Sequence, residues 1–314
     1  MGDEEISKSL LKGPHAQMLD EAFGYADSFW EYKPGRLLLP ENFHNMAKEI
    51  LDAEVREDDV WVISYPKTGS TWLQEMVWLI ANDLDFDKAK GTIQQLRAPM
   101  IELGIYFAEY EDFVQKFGNS VEICNNWPSP RCVKSHLTYK FLPRQFHKVK
   151  PKVIYMARHP KDLCVSYYHH CRMMYNVNVT FADFAEMFLA GNVPIGNVFD
   201  HYLPYWQHRD DMNLLFLKYE DFVRDPKEGI ERLSDFMERP LSTDDVNRIC
   251  AFLTIDNMRN NPGCNFELLM GTNLVRKGIV GDWKNYMDDE LSHRFDVFIE
   301  KHLHGTGLTF DENN

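Results

Sequence analysis

The run Tyr65-Pro66-Lys67-Thr68-Gly69-Ser70-Thr71-Trp72 holds the densest chemistry in the chain. A turn between an apolar run and a helical pattern presents free backbone N–H groups to an anion. Lys67 adds a charge, and Ser70 and Thr71 add hydroxyl donors at the helix start. The same residues also fit an ordinary strand-to-helix turn. They do not form a Walker A loop, which needs Lys after the second glycine, whereas Lys67 precedes Gly69. Three other segments could share the anion. Arg158-His159-Pro160-Lys161-Asp162 is followed by Ser166, and Arg158 and Ser166 could both reach one phosphate; Arg158 alone fits a structural ion pair equally well. Val133-Lys134-Ser135-His136 puts a cation and an imidazole at the end of a strand, where an imidazole can accept a proton near neutral pH. A lone histidine there is otherwise structural. Arg276-Lys277-Gly278 follows a polar, glycine-containing stretch, residues 260–273, and would otherwise be solvated. His169-His170 is set aside as a metal pair, because helix neighbours point about 100° apart and no ligand cluster accompanies them.

These residues need elements to position them. Val60–Tyr65 is β-rich and nearly uncharged, which predicts a buried strand, and Thr71–Ala81 has helical spacing through Leu73, Met76, Val77 and Ile80. Arg131–Ser135, Lys152–Ala157 and Asn213–Tyr219 predict further strands. Helices are predicted over Lys161–Met174, Phe181–Leu189, Val198–His208, Pro226–Met237, Thr243–Phe252 and Asp288–His302. Apolar strands alternating with helices predict an α/β fold: a single domain with a central parallel sheet flanked by helices. Residues 1–20 are polar and are expected to be a mobile segment ahead of a domain over 21–314; no repeat or Pro/Gly-rich linker divides the rest.

The 314 residues carry 34 Lys+Arg against 48 Asp+Glu, a net charge of −14. That balance argues against general nucleic-acid binding, which needs excess Lys and Arg, but it allows a local basic pocket. The longest run without a charged residue, Met187–Phe199, contains Gly and Pro and is too short for a membrane span. The acidic start, Met1-Gly2-Asp3-Glu4-Glu5, is unlike a signal peptide. Six sparse cysteines without a C-x-x-C predict a reduced, cytoplasmic protein.

Together the segments closely resemble the cytosolic sulfotransferases, over roughly Val60 to Asp311. The family's 5′-phosphosulfate loop, YPKSGTTW, matches Tyr65–Trp72. Its K-[ST]-H-L matches Lys134-Ser135-His136-Leu137, its strand–helix element with the 3′-phosphate ligands matches Tyr155–Tyr168, its YED matches Tyr219-Glu220-Asp221, and its RKG…GDWK matches Arg276–Lys284. The chain is similar to insect-type members, including retinol dehydratases. The resemblance implies transfer of a sulfuryl group from 3′-phosphoadenosine 5′-phosphosulfate (PAPS) to an acceptor hydroxyl or amine, leaving adenosine 3′,5′-bisphosphate (PAP), with no metal. It implies that Lys67 stabilises the leaving oxygen, that Lys134 lies beside the sulfuryl group, and that His136 is the general base. The loop amides of Thr68 and Gly69, with Ser70 and Thr71, would hold the 5′-phosphate; Arg158, Ser166, Arg276, Lys277 and Gly278 the 3′-phosphate; Trp72 would stack on adenine and Tyr219 contact the nucleotide.

Two positions depart from the family pattern. Ile255 stands where an aromatic usually covers the second face of adenine. The dimer motif KxxxTVxxxE aligns with Lys284–His293, where Asp288-Asp289 replace Thr-Val; a monomer, or a dimer through another surface, is expected. Met100, Leu103, Tyr106, Phe107 and Tyr175 fall near segments that line the family's acceptor pocket, and fit ordinary core equally well. They suggest a small lipophilic acceptor such as a phenol, steroid, retinoid or xenobiotic, in small-molecule metabolism or detoxification. The rival readings are a P-loop nucleotide kinase, a non-catalytic binder of PAPS or lipophiles, and a dehydratase acting through a sulfated allylic alcohol.

Overall fold

The structure is a computed structural model that describes residues 6–23, 27–106, 115, 118–175, 177–264 and 275–310. Its centre is a parallel sheet of four strands: β4 (Val60–Ser64), β5 (Cys132–Ser135), β6 (Lys152–Ala157) and β7 (Leu214–Lys218), in the order β5-β4-β6-β7. Alternate side chains of each strand feed two separate cores, as the two-residue period of a strand requires. Trp61, Ile63, Val133, Val153 and Tyr155 enter one; Val60, Val62, Cys132, Ile154 and Met156 enter the other. Both faces are therefore dry, which explains the uninterrupted apolar strands in the sequence.

Helix α3 (Ser70–Ala81) belongs to one core and the Pro160–Tyr175 helix to the other. They leave β4 and β6, adjacent strands, toward opposite faces. The gap this opens at the C-terminal ends of the strands is where open α/β sheets place ligands. Residues 99–101 run beside the outer edge of β5: the Lys134 amide donates to the Pro99 carbonyl at 2.9 Å, and the Ile101 amide donates to the Lys134 carbonyl at 3.0 Å. This carries Met100, Glu102 and Leu103 to the same gap.

Expected and observed elements agree closely. Phe181–Leu189, Pro226–Met237 and Thr243–Phe252 have the expected bounds, each opened by a side-chain cap from Thr180, Asp225 and Ser242 respectively. At the N-terminus the structure holds elements that the sequence did not reveal. Of the segment expected to be mobile, Ser7–Leu10 form strand β1 and the helix Pro14–Phe23, α1, follows. β1 pairs antiparallel with β2 (Trp30–Lys33), and β2 with β3 (Leu37–Leu39). Strands of three or four residues are too short to show a period in sequence. They hold because Tyr32, Leu37 and Leu39 are fully buried in the same core as Trp61, and because Lys8 sits over the Trp30 ring at 4.5 Å and pairs with Glu41 at 2.6 Å.

The opposite end of the sheet is clamped by a buried ion pair. Arg131 Nε donates to Asp59 Oδ1 and its second nitrogen to Asp59 Oδ2, both at 2.7 Å, and both residues are almost fully buried. The same guanidinium donates to the carbonyls of Cys124 and Glu54. Asp59 and Arg131 immediately precede β4 and β5, so the pair fixes the register in which Val60 lies opposite Cys132. Asp59→Ala strands the guanidinium in the interior and should cost about 3–5 kcal/mol, read from the urea midpoint at constant slope. A loss of no more than about 1 kcal/mol, the size of an exposed pair, would reject the clamp.

Candidate active site

The turn after β4 is set by its own backbone. Tyr65 is fully buried and donates its hydroxyl to the Gly196 carbonyl at 2.9 Å. Thr68 Oγ1 donates back to the Tyr65 carbonyl at 3.0 Å, closing the turn. Lys67 has φ 71°, an uncommon conformation for a residue with a side chain. Gly69 has φ 95°, and a Cβ there would come within 2.6 Å of the Tyr219 ring, so only glycine fits. Gly69 is also the N-cap of α3 and supplies no side chain to cap its first turn. The first-turn amides are thus open to an outside acceptor, at the positive end of the helix dipole.

Arg158 follows β6 and reaches the same turn. Its guanidinium donates to the carbonyls of Lys67 and Ile279, both at 3.2 Å, and lies over the Tyr219 ring at 4.5 Å. Among the described residues its buried Nε has no hydrogen-bond partner, and neither has Nε of Arg276. Arg276 and Lys277 share one carboxylate, Asp282, at 2.6 and 2.8 Å. Burial works against ionising Asp282, but hydrogen bonds from Lys277, Arg276 and Asn285 prevail and bring its carboxyl down to about 2. Asp162, in the first turn of the Pro160 helix, accepts from the amides of Gly281 and Trp283 at 2.6 and 3.0 Å and ties this segment to the start of that helix. Two orphaned buried guanidinium nitrogens, an uncapped helix N-terminus and a cluster of cations are the donor set that a nucleotide carrying two separate phosphates needs.

Across the gap, Lys134 is the last residue but one of β5, and His136 follows the strand. Burial lowers the ammonium of Lys67 to about 7, helped by the charges of Lys134, Arg158 and Arg276. Burial lowers Lys134 to about 8, against the pull of Glu102. Burial, and then the charge of Lys134, hold the imidazole of His136 well below its ordinary range, so it is neutral. Its tautomer follows from one contact. Nδ1 lies 2.7 Å from the Ser64 carbonyl, which can only accept, so Nδ1 carries the hydrogen and Nε2 keeps a lone pair. The backbone is fixed as well: the His136 amide donates to Glu102 Oε1, while His201 Nε2 donates to the His136 carbonyl at 3.1 Å and accepts at Nδ1 from Tyr155 Oη at 2.7 Å. Burial pushes the Glu102 carboxyl up to about 7.

One cavity of about 410 Å³ joins the two halves. Its wall contains Lys67, Gly69, Ser70, Thr71, Trp72, Arg158, Ser166, Tyr219, Ile255, Arg276, Lys277 and Gly278, and also Lys134, His136, Met100, Leu103 and Tyr175. Thr68 is not in the wall; its fully buried hydroxyl is spent on the turn. The helix Leu103–Tyr106 carries Tyr106, whose side chain, like all of Phe107, lies outside the described residues. Trp72 donates its Nε1–H to the Leu253 carbonyl at 3.0 Å, and Ile255 lies so close to Gly278 that a Cβ there would meet it at 2.6 Å. Asp288 caps the helix Asp289–Leu303 through the Leu291 amide, which gives this aspartate a task within its own chain.

Sequence reasoning missed the parts played by Asp162 and Glu102, whose partners are backbone amides far along the chain, and by Asp282, which pairs with Arg276 and Lys277 close by. It also missed His170 and Met174, which line the cavity. Their spacing from Ser166, four and eight residues, places all three on one helix face and could have found them.

Comparison with known proteins gives one answer. Residues 57–307 match the model of the sulfotransferase domain. The luciferin sulfotransferase of Photinus pyralis is 35% identical, with 85% of this chain and 77% of that protein covered. Sulfotransferase 1B1 of Mus musculus is 36% identical, with 80% and 85% covered. Among solved structures, retinol dehydratase in complex with androsterone and inactive cofactor PAP superposes with a TM-score of 0.87 at 28% identity, covering 97% of this chain and 98% of that one. With a sulfotransferase domain over most of its length and two such relatives above 30% identity, the chain belongs to the sulfotransferase family.

Proposed function

We propose that the protein transfers the sulfuryl group of PAPS to a hydroxyl, or an amine, of a small lipophilic acceptor, in line and with His136 as general base. The observation that carries this is the meeting of Lys67, Lys134 and His136 in one cavity, with His136 held in the tautomer that leaves Nε2 as acceptor. Structures of relatives in complex with PAP support the choice of donor. Bound PAPS supplies the sulfuryl group and a phosphate as leaving group. Ser70, Thr71 and the open amides of α3 hold one phosphate; Arg158, Ser166, Arg276, Lys277 and the Gly278 backbone hold the other. Lys67 puts positive charge where the leaving oxygen gains negative charge, and Lys134 does so beside the sulfuryl oxygens. Nε2 of His136 takes the proton as the acceptor oxygen bonds to sulfur. Trp72 and Tyr219 pack the base and nucleotide, with Ile255 as an aliphatic cover. The apolar side of the cavity, with Met100, Leu103, Met174 and Tyr175, suits a lipophilic acceptor. A second reading, elimination of sulfate from a sulfated allylic alcohol, is favoured by the likeness to a retinol dehydratase crystallised with retinol and PAP. It uses the same transfer as its first step.

Three measurements test this. His136→Ala should lower turnover by about 10²-fold or more while PAP affinity barely changes; an acceptor ionised at assay pH should partly rescue it and should not rescue Lys67→Ala. Near-normal turnover of an unionised alcohol by His136→Ala rejects the base. Second, PAP should bind in chelator; binding that requires Mg²⁺ returns the kinase reading. Third, the lowered ammonium groups of Lys67, at about 7, and Lys134, at about 8, lose charge as pH rises. An anion favours their charged forms, so PAP affinity should fall between pH 7 and 9 and binding should take up protons, seen as a buffer-dependent calorimetric heat. Flat affinity over that range overturns the assignment of these lysines to the anion.

A further inference from the structure

The transfer leaves a second imidazole of the cavity wall unused. His170 lies one helical turn beyond Ser166 on the Pro160 helix, so both face the cavity. Its ring is stacked on Tyr167, with centroids 5.9 Å apart and planes at 18°, and stands edge-on to Tyr175 at 6.0 Å and 80°. These two contacts fix the plane of the imidazole and offer it no hydrogen bond. The Tyr167 hydroxyl is committed elsewhere, to the Pro194 carbonyl at 2.9 Å. Nδ1 of His170 is buried and, among the described residues, has no partner. Burial, together with the charges of Lys67, His136 and Lys134, keeps the ring neutral, so it presents one N–H donor and one lone pair. Met100, Leu103, Met174 and Tyr175 line the same cavity, as do Lys67, Lys134 and His136, whose charges reach the ring. A rigid, neutral imidazole with an unsatisfied, buried nitrogen is costly unless something pairs with it.

We infer that His170 is a specificity-determining residue that hydrogen-bonds a second oxygen of the acceptor, so that the preferred acceptors are lipophilic molecules with two oxygen functions: diols, catechol-like phenols or hydroxyketones. The inference rests on the proposed sulfuryl transfer and deepens it. Either oxygen type suits the ring, since a neutral imidazole can donate to a carbonyl or accept from a hydroxyl. A mono-alcohol of the same shape leaves the imidazole unpaired and is discriminated against.

The test compares matched pairs, phenol with the three benzenediols and a 3-hydroxysteroid with its 17-hydroxy and 17-keto counterparts, using labelled PAPS. His170→Phe keeps an aromatic ring of similar bulk and removes both nitrogens; His170→Asn restores a donor and an acceptor. PAP affinity, which does not involve His170, reports that each variant is folded. The preference of the wild type for the two-oxygen member, as a ratio of kcat/KM, should fall about 3- to 10-fold in His170→Phe, the size of one neutral hydrogen bond. The change should lie mainly in KM, and His170→Asn should recover part of it. With [15N]histidine protein saturated with PAP, the His170 ring nitrogens should shift on adding the diol and stay in place on adding the mono-alcohol. An unchanged ratio in a folded His170→Phe overturns the inference while leaving sulfuryl transfer intact. A wild type that sulfates no member of any pair overturns the function proposed above and this inference with it.

Discussion

Like charges gathered in a space with little water repel one another, and the active-site end of this molecule is organised around that fact. Lys67, Lys134, Arg158 and Arg276 converge on one cavity, and the repulsion is legible in the lowered ammonium of Lys67. No lone side chain could keep such a group together. The frame does: β4, β5 and β6 pair in parallel, so their C-terminal ends emerge side by side. The Asp59–Arg131 clamp fixes that register from the far end, and Asp162 ties the Arg276 segment to the start of the Pro160 helix. Buried carboxyls at Asp282 and Glu102 offset part of the charge without reaching neutrality. A frame that holds cations at this cost is ready for a polyanion, because the ligand lowers the energy of the site rather than merely adding contacts.

The sequence made the frame legible because the physics there is local. An apolar run followed by a glycine turn and a helical period defines β4 and α3 without any partner, and caps such as Thr180 and Ser242 mark helix starts to the residue. Motif order then placed the lysines, the arginines and His136 at one end of the sheet, and the cavity unites them. What could not be read depends on distance or direction. The tautomer of His136 is set by the carbonyl of Ser64, 72 positions earlier. Thr68 sits inside the phosphate loop by sequence, yet its hydroxyl turns inward to Tyr65. The N-terminal strands are shorter than the period that would reveal them. His170 was visible only in a pairing that invited the wrong question, whether His169 and His170 bind a metal together; its relation to Ser166, one turn earlier, was the informative one.

Lys67 and His136 also divide the work along structural lines. Lys67 sits in a turn with left-handed backbone at Lys67 and Gly69, and Gly69 packs against the Tyr219 ring. His136 is anchored through its ring to β4 and through its backbone to Glu102 and His201. Neither group depends on a loop that must first order itself, so the distance between the proposed proton acceptor and the proposed leaving-group cation is a property of the sheet.

The shared carboxylate of Asp282 has a consequence for selectivity among anions. Arg276 and Lys277 already have a counter-ion, so an incoming anion competes with a tethered carboxylate as well as with water. A lone inorganic phosphate or chloride gains little from that exchange. A ligand whose second phosphate is already seated on the first turn of α3 presents its other phosphate at high effective concentration and wins it. On the proposed assignment of the phosphates, the resident aspartate would make the pocket bivalent in its demand, favouring two phosphates joined by a nucleoside over abundant small anions.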